Sequence, residues 1–181
     1  MIVLEAVNLV WLSGAADQCA HGAVRLSVGD ELLVSPEDGE LTVTAAGLLL
    51  LRTLEANYEP DDELADHIQL LPHCGFFVYP DGDRCSISGC PEGVDLTVVT
   101  NGDNVTLRRG EVTAVTTRAQ WRDAVISFVR QIEAFHERSP SREAVADPFE
   151  REGWQMFWQE WHRSVRATDD RAIGRVGDDA P

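Results

Sequence analysis

Lysine is missing from this chain. All 15 basic residues are arginine, and 31 acidic residues outweigh them to a formal charge of −16 over 181 residues. A charge this negative repels nucleic-acid phosphates and anionic membrane surfaces, so neither is expected as a partner. It favours solubility and fast encounter with a basic protein. The acidity also fits a GC-rich genome or a salty cytoplasm, and the arginine-only usage fits the genome reading in particular, because arginine codons are GC-rich. No run approaches the ~18 apolar residues of a membrane-spanning helix. Glu5 and Asn8 interrupt the apolar start, and no basic residue precedes it. The stretch therefore reads as a first strand rather than a signal peptide. Without a secretory signal, the four cysteines are expected as reduced thiols in the cytoplasm. There is no Cys-x₂-Cys knuckle, Gly-rich phosphate loop, nucleophile elbow, basic recognition patch or internal repeat.

What is present is architecture. Ile2–Leu12 is rich in Val, Leu and Trp and reads as a strand. Short strands follow at Ala23–Val28, Leu32–Ser35 and Leu41–Thr44, separated by Gly29-Asp30 and a Pro36–Gly39 turn. Thr42 or Thr44 can cap a helix over Ala45–Asn57, whose four consecutive leucines predict burial. The acidic stretch from Asn57 to Asp66 is expected as a loop. From Gly75 an antiparallel meander is predicted. Its strands are Phe76–Tyr79, Cys85–Ser88, Val94–Thr100, Val105–Arg108 and Val112–Thr116, and its turns are Pro80–Asp83, Gly89–Gly93 and Asn101-Gly102. Thr117 and Gln120 form a capping box for a long helix. In that helix Trp121, Ala124, Val125, Phe128, Val129, Ile132 and Phe135 recur at helical spacing. Asp147-Pro148-Phe149-Glu150 opens another helix, which carries Trp154, Phe157, Trp158 and Trp161 on one stripe. The expected fold is α+β: a mainly antiparallel sheet with one mid-chain helix and two C-terminal helices packed on it. A single domain is expected over 1–165, with a polar tail over 166–181.

The stretch His73–Asp95 concentrates the unusual residues, and three chemistries bear on it. Zinc would need four nitrogen or sulfur ligands. His73, Cys74, Cys85 and Cys90, with Cys19 or His21, are the weak candidates, and small buried thiols are the simpler reading. Cys85 and Cys90 flank a turn and could form a disulfide in an oxidising compartment. A thiol nucleophile would pair Cys74 with His73, or Cys19 with His21. Adjacent strand residues point to opposite faces, however, and no orienting third group is evident. The carboxylates Asp81, Asp83, Glu92 and Asp95, with Asp61, Asp62 and Glu63, lack calcium-loop order, and turn geometry explains them. No cofactor is expected. The Trp154–Trp161 stripe reads first as core, with Trp154 and Trp158 as candidate anchors for a partner.

Three pieces carry a resemblance. They are His73-Cys74-Gly75-Phe76, the turn Gly89-Cys90-Pro91-Glu92-Gly93-Val94-Asp95, and the Trp121–Phe135 helix followed by the Trp154/Trp158/Trp161 helix. Over roughly the last two-thirds of the chain they resemble small bacterial immunity proteins of polymorphic or contact-dependent toxin systems. That resemblance implies a cytoplasmic α+β protein that binds one toxin domain and blocks it by occlusion, with no catalytic residue. The acidic charge suits a basic toxin such as a nuclease. Asp81, Asp83, Glu92, Asp95, Trp154 and Trp158 are the expected partner-binding residues. Two alternatives stand beside this one: a small zinc- or thiol-dependent enzyme centred on His73, Cys74, Cys85 and Cys90, and a structural subunit of a complex.

Overall fold

The computed structural model describes residues 1–60, 68–73 and 77–176, those after Thr168 by backbone alone. The chain is α+β, and its sheets are antiparallel. Strand β1 (Ile2–Val10) pairs with β2 (His21–Val28), and β2 pairs in turn with β3 (Glu31–Val34) and β4 (Leu41–Thr42). A second sheet consists of β9 (Thr97–Asn101), β10 (Asn104–Arg109) and β11 (Val112–Thr117). Two short ladders lie outside these sheets among the described residues. One pairs β5 (Leu71–Pro72) with β8 (Gly93–Val94), and the other pairs β6 (Phe77–Asp81) with β7 (Arg84–Ser88).

Four of the tight turns share one chemistry. Gly29-Asp30, Gly82-Asp83, Gly102-Asp103 and Gly110-Glu111 each join paired strands, with the glycine at φ between 55° and 62°. Glycine adopts that left-handed backbone without penalty, and the acidic residue that follows is left in solvent. Each of these four hairpin tips therefore displays a carboxylate.

Helix α1 (Val43–Arg52) is buried from Val43 to Leu51. It begins two residues earlier and ends five residues earlier than the apolar run suggests. At its start no side chain caps it; Val43 N–H and Thr44 N–H both donate to the Ala20 carbonyl. At its end the Thr53 hydroxyl donates to Leu50 O at 2.6 Å, and the chain continues in tight turns to Ala56. A threonine hydroxyl that takes a helix carbonyl competes with the helical ladder. Gly47 sits mid-helix because a Cβ there would strike the Trp161 ring, about 2.5 Å away.

Helix α2 (Arg118–Arg138) has the expected capping box between Thr117 and Gln120. Its buried face is Trp121, Val125, Phe128, Val129 and Ile132. Helix α3 (Pro148–Val176) starts at the expected Asp147-Pro148, and the Asp147 carboxylate accepts Glu150 N–H at 2.9 Å. It runs on to Val176, so part of the segment read as a polar tail is helical. One cluster of buried apolar side chains extends from Leu4 to Val165 and joins both larger sheets to all three helices.

The meander expected from residue 75 is partitioned rather than continuous. Strands β5 and β8 pair across the β6–β7 hairpin, which belongs to neither larger sheet. The predicted strand Val94–Thr100 is broken at Asp95. The Asp95 carboxylate accepts the Tyr58 hydroxyl at 2.7 Å, Leu70 N–H at 3.0 Å and Leu96 N–H at 3.2 Å. Those bonds hold the chain out of a β ladder at that point. Strand β6 runs one residue past Pro80, so the turn shortens to Gly82-Asp83. The Asn57–Asp66 loop is described only to Pro60.

Candidate functional site

Among the described residues, the most exposed aromatic group forms where the β6–β7 hairpin meets the first turn of α3. Alternation along β6 sends Phe77, Tyr79 and Asp81 to one side of the hairpin, with buried Val78 on the other. Phe149 projects from the first turn of α3. Its ring lies 6.2 Å from Tyr79 at 17° and 6.5 Å from Phe77, and Phe77 stacks on Tyr79 at 5.7 Å. Phe77 is 40% exposed and Phe149 52% exposed, an unusual amount of bare ring for a folded chain.

The approach of helix to hairpin depends on Gly153. A Cβ on that residue would fall about 2.6 Å from the Tyr79 backbone nitrogen. Glycine alone lets the α3 backbone lie on β6, and that contact sets Phe149 over Tyr79. Carboxylates rim the rings. Asp81 is exposed and its Oδ2 accepts the Ser86 hydroxyl at 2.6 Å, while Asp83 is exposed in the turn.

The residues expected to bind a partner separate into three groups. Asp81 and Asp83 sit at this corner. Glu92 is exposed on another loop, 3.8 Å from Nδ1 of His73. Asp95 is half-buried and spends its carboxylate on Tyr58 and the backbone. Trp154 is buried with Phe157 and Trp161 in the core, and half-buried Trp158 stacks edge-on against His136 at 5.2 Å. Phe77, Tyr79 and Phe149 escaped the sequence reading. Phe149 lies off the tryptophan stripe, and Phe77 looks like any apolar strand residue until its exposure is known.

The described cysteines are dispersed. Cys85 is a buried free thiol beside an ion pair that links α1 to α3. There Arg52 Nε donates to Glu160 Oε1 at 2.8 Å, and Arg52 Nη2 donates to Glu160 Oε2 at 2.9 Å and to Cys85 O at 2.7 Å. Burial pushes the Cys85 thiol up to about 11. Cys19 is likewise buried and free, and burial together with the Asp17 charge pushes its thiol well up. Both therefore stay protonated and unreactive at neutral pH. Cys90 lies elsewhere, with its Sγ 3.9 Å from His73 Nδ1. Among the described residues no group of three or more His, Cys, Asp or Glu side chains is placed to hold a metal ion. Cys74, Asp61, Asp62 and Glu63 lie outside the described residues.

Compared with protein-family models, curated proteins and solved structures, the chain has no significant match. The functional reading therefore rests on this geometry and on charge.

Proposed function

We propose that this chain is a non-catalytic protein-binding module that covers a basic partner domain, in the manner of an immunity protein neutralising a toxin. The exposed Phe77–Tyr79–Phe149 stack with its carboxylate rim carries the reading. Aromatic anchors ringed by polar groups supply most of the energy at protein interfaces. Acidic side chains around them steer a basic partner and select against acidic ones. The charge of −16 extends that field over the whole molecule.

Expression of the neighbouring gene, alone and together with this chain, tests the reading. The expected result is a growth defect from the neighbour that co-expression relieves, with the two proteins co-purifying. A harmless neighbour, or toxicity that this chain leaves untouched, removes the immunity reading.

A second reading, thiol chemistry at Cys90, is favoured by one observation, the 3.9 Å approach of its Sγ to His73 Nδ1. Glu92 Oε2 lies 3.8 Å from the same nitrogen. In that reading the His73 ring stands beside the thiol as its base, and Glu92 orients the ring. Alkylation of Cys90 would then be rapid at neutral pH and slowed by His73→Ala. Equal rates in the two proteins exclude it.

A further inference from the structure

Strand β1 is the outer strand of its sheet, with β2 on one side and no strand on the other among the described residues. In an antiparallel pair every second residue turns both its N–H and its C=O away from the neighbouring strand. Three contacts fix which residues do so here. Met1 O accepts Gly29 N–H at 2.8 Å, and the Val7 carbonyl oxygen lies 2.7 Å from where a Cβ on Gly22 would stand, so the odd-numbered residues face β2. Ala6 N–H points the other way and donates to the Gln131 side chain at 3.1 Å. Ile2 and Leu4 share the phase of Ala6, so their backbone groups form the outer edge.

The two halves of that edge differ. Beyond Val7 the register shifts and Asn8 takes a left-handed backbone at φ 56°, which bends the edge out of pairing geometry. At Ala6 the Gln131 amide oxygen stands where the carbonyl of another strand would. Bulges and covering groups are how proteins blunt an exposed edge. From Ile2 to Glu5 there is neither. The outward N–H and C=O groups of Ile2 and Leu4 take no hydrogen bond from a side chain or another strand among the described residues. They border an open groove of about 500 Å³, whose far wall is Gln120, Asp123, Ala124 and Ser127 of α2.

A row of alternating donors and acceptors is answered in register by another extended main chain. We propose that the Ile2–Glu5 edge receives an extended segment of a partner protein as an added antiparallel strand, with Gln131 marking where the pairing stops. The neighbouring side chains select its sequence. Residues opposite Ile2 and Leu4 turn to the face on which those two pack against the core, so they are apolar. A residue opposite Glu5 lies on the other face, beside a half-exposed carboxylate that meets Arg25 of β2 at 3.3 Å. A basic side chain there is favoured. A second copy of this chain is disfavoured, because it brings another charge of −16 to the contact. The edge is built from elements other than those of the aromatic corner, so it is a separate contact area and does not rest on the neutralisation reading.

The probe is an acetylated, amidated peptide, Arg-Val-Thr-Val-Thr, which places arginine opposite Glu5 and valine opposite Leu4 and Ile2. The backbone amides of Ile2 and Leu4 report by NMR. The expected result is saturable millimolar binding that shifts both amides, with about tenfold slower hydrogen exchange when about nine-tenths of the protein is bound. N-methylation of both valines removes the two N–H donors that face β1 and keeps every side chain; it should weaken binding by about tenfold or more. Glu5→Gln, at a half-exposed position, should weaken it by about two- to fivefold. No saturable shift of the two amides, equal binding of the N-methylated peptide, or an affinity indifferent to Glu5→Gln overturns the proposal. Two results without peptide also overturn it. Amides of Ile2 and Leu4 that shift with protein concentration assign the edge to a second copy, and full protection in dilute protein shows an edge closed within the chain. The neighbouring gene's product takes no part in this experiment, so its failure is separate from failure of the neutralisation reading.

Discussion

At the scale of single residues, the polar groups inside this protein are joints between elements. Glu160 is 4% exposed, and its carboxylate and the Arg52 guanidinium meet as a two-pronged pair. Truncation of one member of a buried pair strands the other, which costs about 3–5 kcal/mol. Arg52 keeps a quarter of its side chain in solvent, so the lower end applies. Glu160→Ala should therefore lose about 3 kcal/mol in urea unfolding. A loss within the scatter of surface substitutions would show that solvent already satisfies Arg52. His136 gives a prediction in pH. Its ring packs against Trp11 and Trp158, and its Nε2 lies 3.0 Å from the Thr44 hydroxyl, which itself accepts Ala20 N–H. Burial, then the nearby Arg142 charge, lowers its pKa from 6.5 to about 4. Between those values the unfolded chain takes up a proton that the folded chain refuses. Its contribution to stability is thus intact above pH 6.5 and is lost as pH falls towards 4. The melting temperature of His136→Asn should vary less over that window than that of the wild type. Parallel curves would place the acid sensitivity in other groups.

At the scale of elements, two close helix contacts depend on the lack of a side chain. Gly153 admits the β6 backbone and Gly47 admits the Trp161 ring. Gly153→Ala adds helix propensity but forces a Cβ against backbone that cannot move aside. The expected result is a net loss of about 1–3 kcal/mol, with rapid hydrogen exchange confined to the β6–β7 hairpin. A neutral or stabilising substitution would mean the hairpin rides freely on α3. These contacts also mark what the sequence could convey. The α2 and α3 starts were legible because their signals are local: a threonine three residues before a glutamine, and an aspartate before a proline. Most strands were legible because glycine and acidic turns punctuate them. The break at Asp95 and the early end of α1 were not, since each depends on a partner distant in sequence or on a hydroxyl that takes a helix carbonyl. The aromatic corner was hidden for a similar reason. Phe149 and Phe77 are 72 positions apart, and the packing of α3 on β6, which Gly153 permits, brings their rings together. Asp81 and Asp83 were legible as exposed carboxylates, because turn tips are exposed wherever the hairpin docks.

At the scale of the whole molecule, core and surface are divided by chemistry. A continuous apolar cluster fills the interior, while the acidic excess is spread over hairpin tips and the outer helix faces. The Phe77–Tyr79–Phe149 stack is an exposed aromatic patch on a chain of formal charge −16, and a basic surface with an apolar centre is its complement. The most direct measurement is the affinity of this protein for the basic partner domain proposed above, compared between wild type and a Phe77→Ser/Phe149→Ser double variant of unchanged melting temperature. Loss of two central aromatic anchors should weaken binding by about 30-fold or more, equivalent to ~2 kcal/mol. Equal affinity in the two proteins would contradict the placement of the binding surface at this corner.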